Sequence, residues 1–203
     1  MSYDLLDGVR VVELSMYAFA PSAAAVLADW GADVTKVVPA SHADPMRGTP
    51  VAGLPDVDVG VAFMWEITNR GKRCIALDVS VEEGRAVLLE LIARADVFIT
   101  NFPFPVRERL GLRSEDLLHL NERLIYASLS PYGEQGPERD RTGFDTTAWW
   151  ARSGLMDMVR PTNDAEPALK EAIELVQKNV EGLGQTRRIG DALTLLGCQH
   201  RQN

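Results

Sequence analysis

The first forty residues restrict the fold more than any other part of the chain. VRVVELS, residues 9 to 15, is β-branched and mostly apolar, which suits a buried strand. An Ala-rich run from Ser22 to Trp30 follows with the composition of a helix, and GADVTKVV then reads as a turn into a second strand. Two strands joined through a helix by short links pair in parallel, with a right-handed crossover.

The same order recurs. KRCIALDV reads as a strand, VEEGRAVLLELIARA as a helix with Val87, Leu88, Leu91 and Ile92 at helical spacing, and DVFITNF as another strand. Short helices over Val106 to Leu110 and Ser114 to Leu120 lead into the strand RLIYASLS, residues 123 to 130. Between the two units, residues 39 to 60 are rich in Pro, Gly and Asp and read as a long loop. This alternation predicts an α/β fold, with a mostly parallel, Rossmann-like sheet and flanking helices. Past the turn-rich PYGEQGPERDRTG, the run FDTTAWWARSGLMDMV reads as a helix whose Trp149 and Trp150 pack into a core. Leu169, Ala172, Ile173, Val176, Val180 and Leu183 form an apolar stripe that predicts a final helix from about Glu166 to Val180. The expected division is a Rossmann-like domain over 1–142 and a helical linker segment with an irregular tail over 143–203.

Neither GxGxxG nor GxxxxGK[ST] is present, so the usual glycine fingerprints for dinucleotides and nucleoside triphosphates are missing. In open α/β sheets ligands gather beyond the C-terminal ends of strands. Here those positions are Met16 to Phe19, Lys36, Asn101 with Phe102, and Pro131 to Gly133. Two basic clusters, NRGKR (69 to 73) and RER (107 to 109), could hold phosphates or could simply be solvated surface. With 29 acidic against 21 basic residues and a net charge of −8, a broad nucleic-acid surface is disfavoured while a local anion pocket is not. His42, His119 and His200 are scattered, and Cys74 and Cys198 lack CxxC spacing. No metal site is expected, and reduced thiols fit a cytoplasmic protein. The early acids of MSYDLLDGVRVVEL do not read as a secretory signal, and no run approaches the ~18 apolar residues of a membrane span. Near the other end, Asn163 and Glu166 have capping-box spacing around Asp164, so that carboxylate reads equally as part of a helix start or as a nucleophile.

LDGVRVVELSMYAFAPSAAAVLADWGADVTKV, NRGKRCIALDVSVEEGR, ADVFITNF, RLGL, ERLIYASLSPYGEQGP and GFDTTAWWARSGLM occur in that order, nearly continuously from Leu6 to about Pro167. Together they resemble the N-terminal half of a class III CoA-transferase, the CaiB/BaiF or formyl-CoA transferase family. The resemblance implies coenzyme A as co-substrate and CoA transfer between an acyl-CoA and a small carboxylic acid, through an anhydride on an enzyme aspartate. By matching position it puts CoA contacts on Tyr17, Ala18, Phe19, Leu77, Asn101, Phe102 and Arg109. Counting onward from Asp145, the nucleophile falls closest to Asp164, with Asp191 in IGDAL as second choice. Partners implied are a second copy in an interlocked homodimer or a full-length relative.

The resemblance also implies a chain about twice as long, whose C-terminal segment completes the Rossmann-like domain and supplies a glycine-rich loop over the aspartate. Here it fades after Pro167, and Val38-Pro39 stands where a polar CoA contact is often found. Three functions therefore stay open: an active CoA-transferase, a catalytically silent relative that binds CoA or serves as an interaction subunit, and an α-methylacyl-CoA racemase-like isomerase. In the racemase branch a His moves the α-proton, and its position is Phe144 here, which cannot exchange a proton.

Overall fold

The sheet begins at β1 (Arg10–Leu14), crosses through helix α1 (Phe19–Asp29) and returns as β2 (Asp33–Pro39). The computed structural model describes residues 4–40, 44–47 and 62–158. A single 3-10 turn, Pro45–Arg47, and helix α2 (Phe63–Asn69) precede β3 (Arg73–Leu77). Then come α3 (Glu82–Ala93), β4 (Val97–Thr100), α4 (Phe104–Leu110), α5 (Ser114–Leu118) and β5 (Ile125–Ser128). The strand order is β3-β2-β1-β4-β5 and every pairing is parallel. Parallel pairing follows from the crossovers, since each pair of strands consecutive in sequence is separated by a helix.

Both faces of the sheet are covered. Val12, Leu14, Val37 and Phe98 point to one side and pack against Leu88 and Ile92 of α3, Leu110 of α4 and Leu117 of α5. Val11, Val34 and Ile99 point to the other, where Ala20 and Ala24 let α1 approach closely. Burying a side chain such as Phe98, which is 0% exposed, contributes about 1.5–3 kcal/mol relative to leaving it in water. Gly31, with φ +98°, takes the left-handed conformation that turns the chain out of α1, and Asp33 N–H then donates to Val9 O to start β2.

Two elements differ from expectation. Helix α2 occupies FMWEITN, directly after the stretch read as a loop; Thr68 Oγ1 and Asn69 Nδ2 donate back to the Trp65 carbonyl, local bonds that favour turns as readily as helices. The expected single helix over 144–159 is instead two pieces, a π-helical segment Asp145–Ala151 and a short helix α6 (Leu155–Met158), separated at Gly154 with φ +80°. These pieces belong to the second of two units into which the chain divides, Met1–Asp140 and Arg141–Asn203. Trp149 and Trp150 stack edge to face at 5.1 Å, but at 57% and 37% exposure they pack against each other and not into a core. The expected helix from Glu166 to Val180 lies outside the described residues.

Candidate functional site

Strand order reverses between β1 and β4, and this is where an open parallel sheet leaves a crevice beyond its C-terminal edge. The chain leaving β1 is held there atom by atom. Asn101, just past β4, accepts a hydrogen bond from Met16 N–H at 3.0 Å and donates from Nδ2 to Met16 O at 2.7 Å. Lys36 Nζ donates to Ser15 O at 3.1 Å, and Asp44 Oδ1 accepts from Tyr17 N–H at 3.4 Å and from Met46 N–H at 3.0 Å. Tyr17 has φ +66°, and no other non-glycine among the described residues has a positive φ. That conformation costs a β-carbon-bearing residue about 1–2 kcal/mol.

Helix α1 starts at the end of this turn. Ala18 is its N-cap, no side chain caps it, its first turn carries no acid, and Pro21 takes a position whose N–H would have needed a partner. The helix therefore presents bare N–H groups and the positive end of its dipole beside the crevice, a setting that suits an anion such as phosphate. Phe19 stands 77% exposed at the same place.

Beneath the turn lies a buried charge network. Glu13 and Lys36 are register partners on β1 and β2, and both side chains are 0% exposed. Glu13 Oε1 accepts from Lys36 Nζ at 2.9 Å and from Ser15 Oγ at 2.6 Å, while its Oε2 accepts from Lys72 Nζ at 2.6 Å. Lys72 also donates to Pro21 O at 2.7 Å, tying the network to α1. Asp44 Oδ2 lies 3.7 Å from Lys36 Nζ and has no hydrogen-bond partner. Two ammonium groups thus face two carboxylates, the arrangement that makes burial of four charges tolerable. Burial pushes the Lys72 ammonium below its ordinary range, with Glu13 opposing the shift. Burial raises the Tyr17 phenol, and the Asp44 charge adds to it. Trp65 closes the network, its ring 5.2 Å from Lys36 Nζ and 3.7 Å from the Arg47 guanidinium.

Most cations of the two basic clusters are paired with the chain's own acids. Arg70 pairs with Asp29 and Arg73 with Asp33, and since Asp33 and Arg73 open β2 and β3, the latter pair sits at the N-terminal edge of the sheet, away from the crevice. Arg107 is buried and donates from Nη1 to Tyr126 Oη at 3.1 Å, Ser128 Oγ at 2.8 Å and Glu134 Oε1 at 2.5 Å. Burial would raise the Glu134 carboxyl, but hydrogen bonds from Ser128 and Arg107 outweigh it and hold the group below the usual carboxylate range.

Of the residues expected from sequence, Tyr17, Ala18, Phe19, Asn101 and Phe102 come together at the β1/β4 reversal. Phe102 is half-buried, donates its N–H to Thr100 Oγ1 at 3.2 Å and packs against the α3/α4 core. Leu77 ends the edge strand β3, two strands from β1, and packs against that same core. Arg109 lies exposed in the last turn of α4. Asp164 and Asp191 lie outside the described residues. Sequence reasoning missed Asp44 and Glu13, and read Lys72 as part of the NRGKR cluster and not as a partner of Glu13. The available signal was a charge at inward positions of otherwise apolar strands, RVVEL and DVTKVVP, which places Glu13 opposite Lys36 once the register is known. Among the described residues no group of three or more His, Cys, Asp or Glu is placed to hold a metal ion, and no helix is long and apolar enough to cross a membrane.

An all-parallel, open five-stranded sheet with helices packed on both faces and a reversal of strand order between β1 and β4 defines an α/β protein of the doubly wound kind. The particular family follows from comparison: residues 6–176 match the model of CoA-transferase family III, and the chain belongs to that family. It is 37% identical over 158 residues to the (R)-2-hydroxy-4-methylpentanoate CoA-transferase of Clostridioides difficile, covering 76% of this chain and 39% of that protein. It is 40% identical over 142 residues to the succinate–glutarate CoA-transferase of Agrobacterium fabrum, covering 69% of this chain and 36% of that protein. Among solved structures, a CAIB/BAIF family protein from Brucella suis superposes with a TM-score of 0.67 at 32% identity, over 96% of this chain and 50% of that one. The chain therefore spans half or less of the length of these relatives.

Proposed function

We propose that the chain binds acyl-CoA at the β1/β4 reversal and moves CoA to a small carboxylic acid, with Asp164 as nucleophile and Asp191 as second choice. The observation that carries this is the bare α1 N-terminus beside the pinned Ser15–Tyr17 turn, in a member of CoA-transferase family III. Tyr17, Ala18 and Phe19 line the entry, Asn101 and Phe102 the opposite wall, Leu77 the more distant apolar path, and Arg109 meets a CoA phosphate.

In this mechanism the aspartate carboxylate attacks the thioester carbonyl, and the tetrahedral intermediate expels CoA thiolate to leave an acyl-aspartyl anhydride. The thiolate attacks the aspartyl carbonyl of that anhydride, releasing the donor acid and forming an aspartyl-CoA thioester. The acceptor carboxylate displaces CoA to form its own anhydride, and the thiolate then attacks the acceptor carbonyl, yielding acceptor-CoA and free aspartate. Backbone N–H groups at the crevice stabilise the oxyanions. The working assembly proposed is a homodimer or a pair with a full-length relative, in the cytoplasm.

The test incubates the protein with acyl-CoA, traps with hydroxylamine and maps the modified residue. A hydroxamate on Asp164 supports the proposal, while turnover with no adduct there removes Asp164 from the role. A second proposal is a silent CoA-binding or interaction subunit. It is favoured if acyl-CoA binds but no adduct forms. A racemase role is the least supported, since Phe144 has no proton to exchange.

A further inference from the structure

We propose that Asp44 is a positioning residue for this site: its carboxylate holds Tyr17 in the left-handed conformation that aims the α1 N-terminus into the crevice. The proposal rests on acyl-CoA binding at that turn. Asn101 fixes both backbone groups of Met16, and Lys36 fixes Ser15 O, so the segment is locked up to Tyr17. The Tyr17 N–H goes to Asp44 Oδ1, at the φ that a tyrosine would not adopt unaided.

Asp44 is itself held from the far side. It is 3% exposed, Met46 N–H donates to the same oxygen that receives Tyr17 N–H, and Lys36 Nζ stands 3.7 Å from the other. Lys36 donates to Glu13 and Ser15 O and stands too far from Asp44 Oδ2 to donate to it, so that oxygen has charge compensation without a hydrogen bond. A buried carboxylate left half-satisfied is a poor choice for stability alone, and the conformation it imposes on Tyr17 gives it a purpose. Because Asp44 follows β2, the device ties the exits of β1, β2 and β4 to one turn.

The test is a double-mutant cycle read by the dissociation constant of free CoA, with the urea midpoint measured for every variant. Asp44→Ala weakens CoA about tenfold when residue 17 is Tyr, and less than about threefold in the Tyr17→Gly background, where the left-handed conformation is free. Asp44→Ser takes its place should the alanine variant not fold. An equal loss in both backgrounds would overturn the proposal, because a generally structural role has no reason to depend on residue 17. If the wild-type chain does not bind CoA, the binding proposal itself falls, and amide exchange then decides this inference. Tyr17 N–H exchanging at least about tenfold faster in Asp44→Ala, with β1 amides unchanged, supports it, and unchanged Tyr17 exchange overturns it.

Discussion

Asn101 closes both atoms of its amide on a single residue, Met16, 85 positions earlier in the chain. A donor and an acceptor at this spacing match the peptide's own C=O and N–H, so neither Asp nor Leu can replace the pair. Asn101→Ala is expected to lower stability by about 1–3 kcal/mol and to weaken CoA binding beyond that effect. Asn101→Asp, which keeps an acceptor but cannot donate to Met16 O, is expected to be at least as damaging. Urea unfolding and titration with CoA on the same samples check both.

Lys36→Met leaves Asp44 without its nearest cation while Glu13 keeps Lys72 and Ser15. The expected cost is about 3–5 kcal/mol, the usual size for breaking a buried ion network from one side. Lys36→Met combined with Asp44→Asn is expected to be more stable than Lys36→Met alone, since the stranded charge has gone. Equilibrium denaturation of the three variants gives the coupling.

Glu134 makes stability depend on acid. Its carboxyl lies below the ordinary value of 4.5 in the folded chain, so its contribution is complete above that pH and is lost as pH falls through the lower folded value. The urea-midpoint gap between wild type and Glu134→Gln should be widest near neutrality and should narrow below about pH 4.5. A gap constant down to about pH 3 would mean that the bonds to Arg107 and Ser128 do not hold the charge in solution.

Gly84→Ala inverts a common rule. In a helix this change ordinarily stabilises by up to about 1 kcal/mol. Here the new Cβ would stand 2.0 Å from Asp78 O and 2.7 Å from Asp78 C, in a turn that Ser80 N–H fixes by donating to Asp78 Oδ1 at 3.0 Å. Backbone must move, and a loss of about 1–3 kcal/mol is expected, read as a lower melting temperature.

The order of strands and helices was legible because each apolar period ends at a recognisable turn. Strand β1, helix α3 and strand β4 follow their expected stretches to within a few residues. What escaped depends on contacts distant in sequence. NRGKR reads as a basic patch, yet Arg70 meets Asp29, Lys72 meets Glu13 and Arg73 meets Asp33, partners some 40 to 60 positions away. Asp44 gave no signal, because the hydrogen bonds it accepts come from backbone N–H groups, at Tyr17 and Met46, and a backbone group carries no letter. The break at Gly154 was visible in ARSGLM but outweighed by the apolar run around it.

The internal use of Lys36, Lys72, Arg70, Arg73 and Arg107 has a kinetic consequence. A chain of net charge −8 that commits these cations to its own acids casts a negative field outward. A polyanion such as CoA would then approach uphill. Its encounter rate should rise as salt shortens the reach of that field, the reverse of an electrostatically steered site. Selection would fall to the last few ångströms, where on the proposed binding mode the bare end of α1 would meet the phosphate.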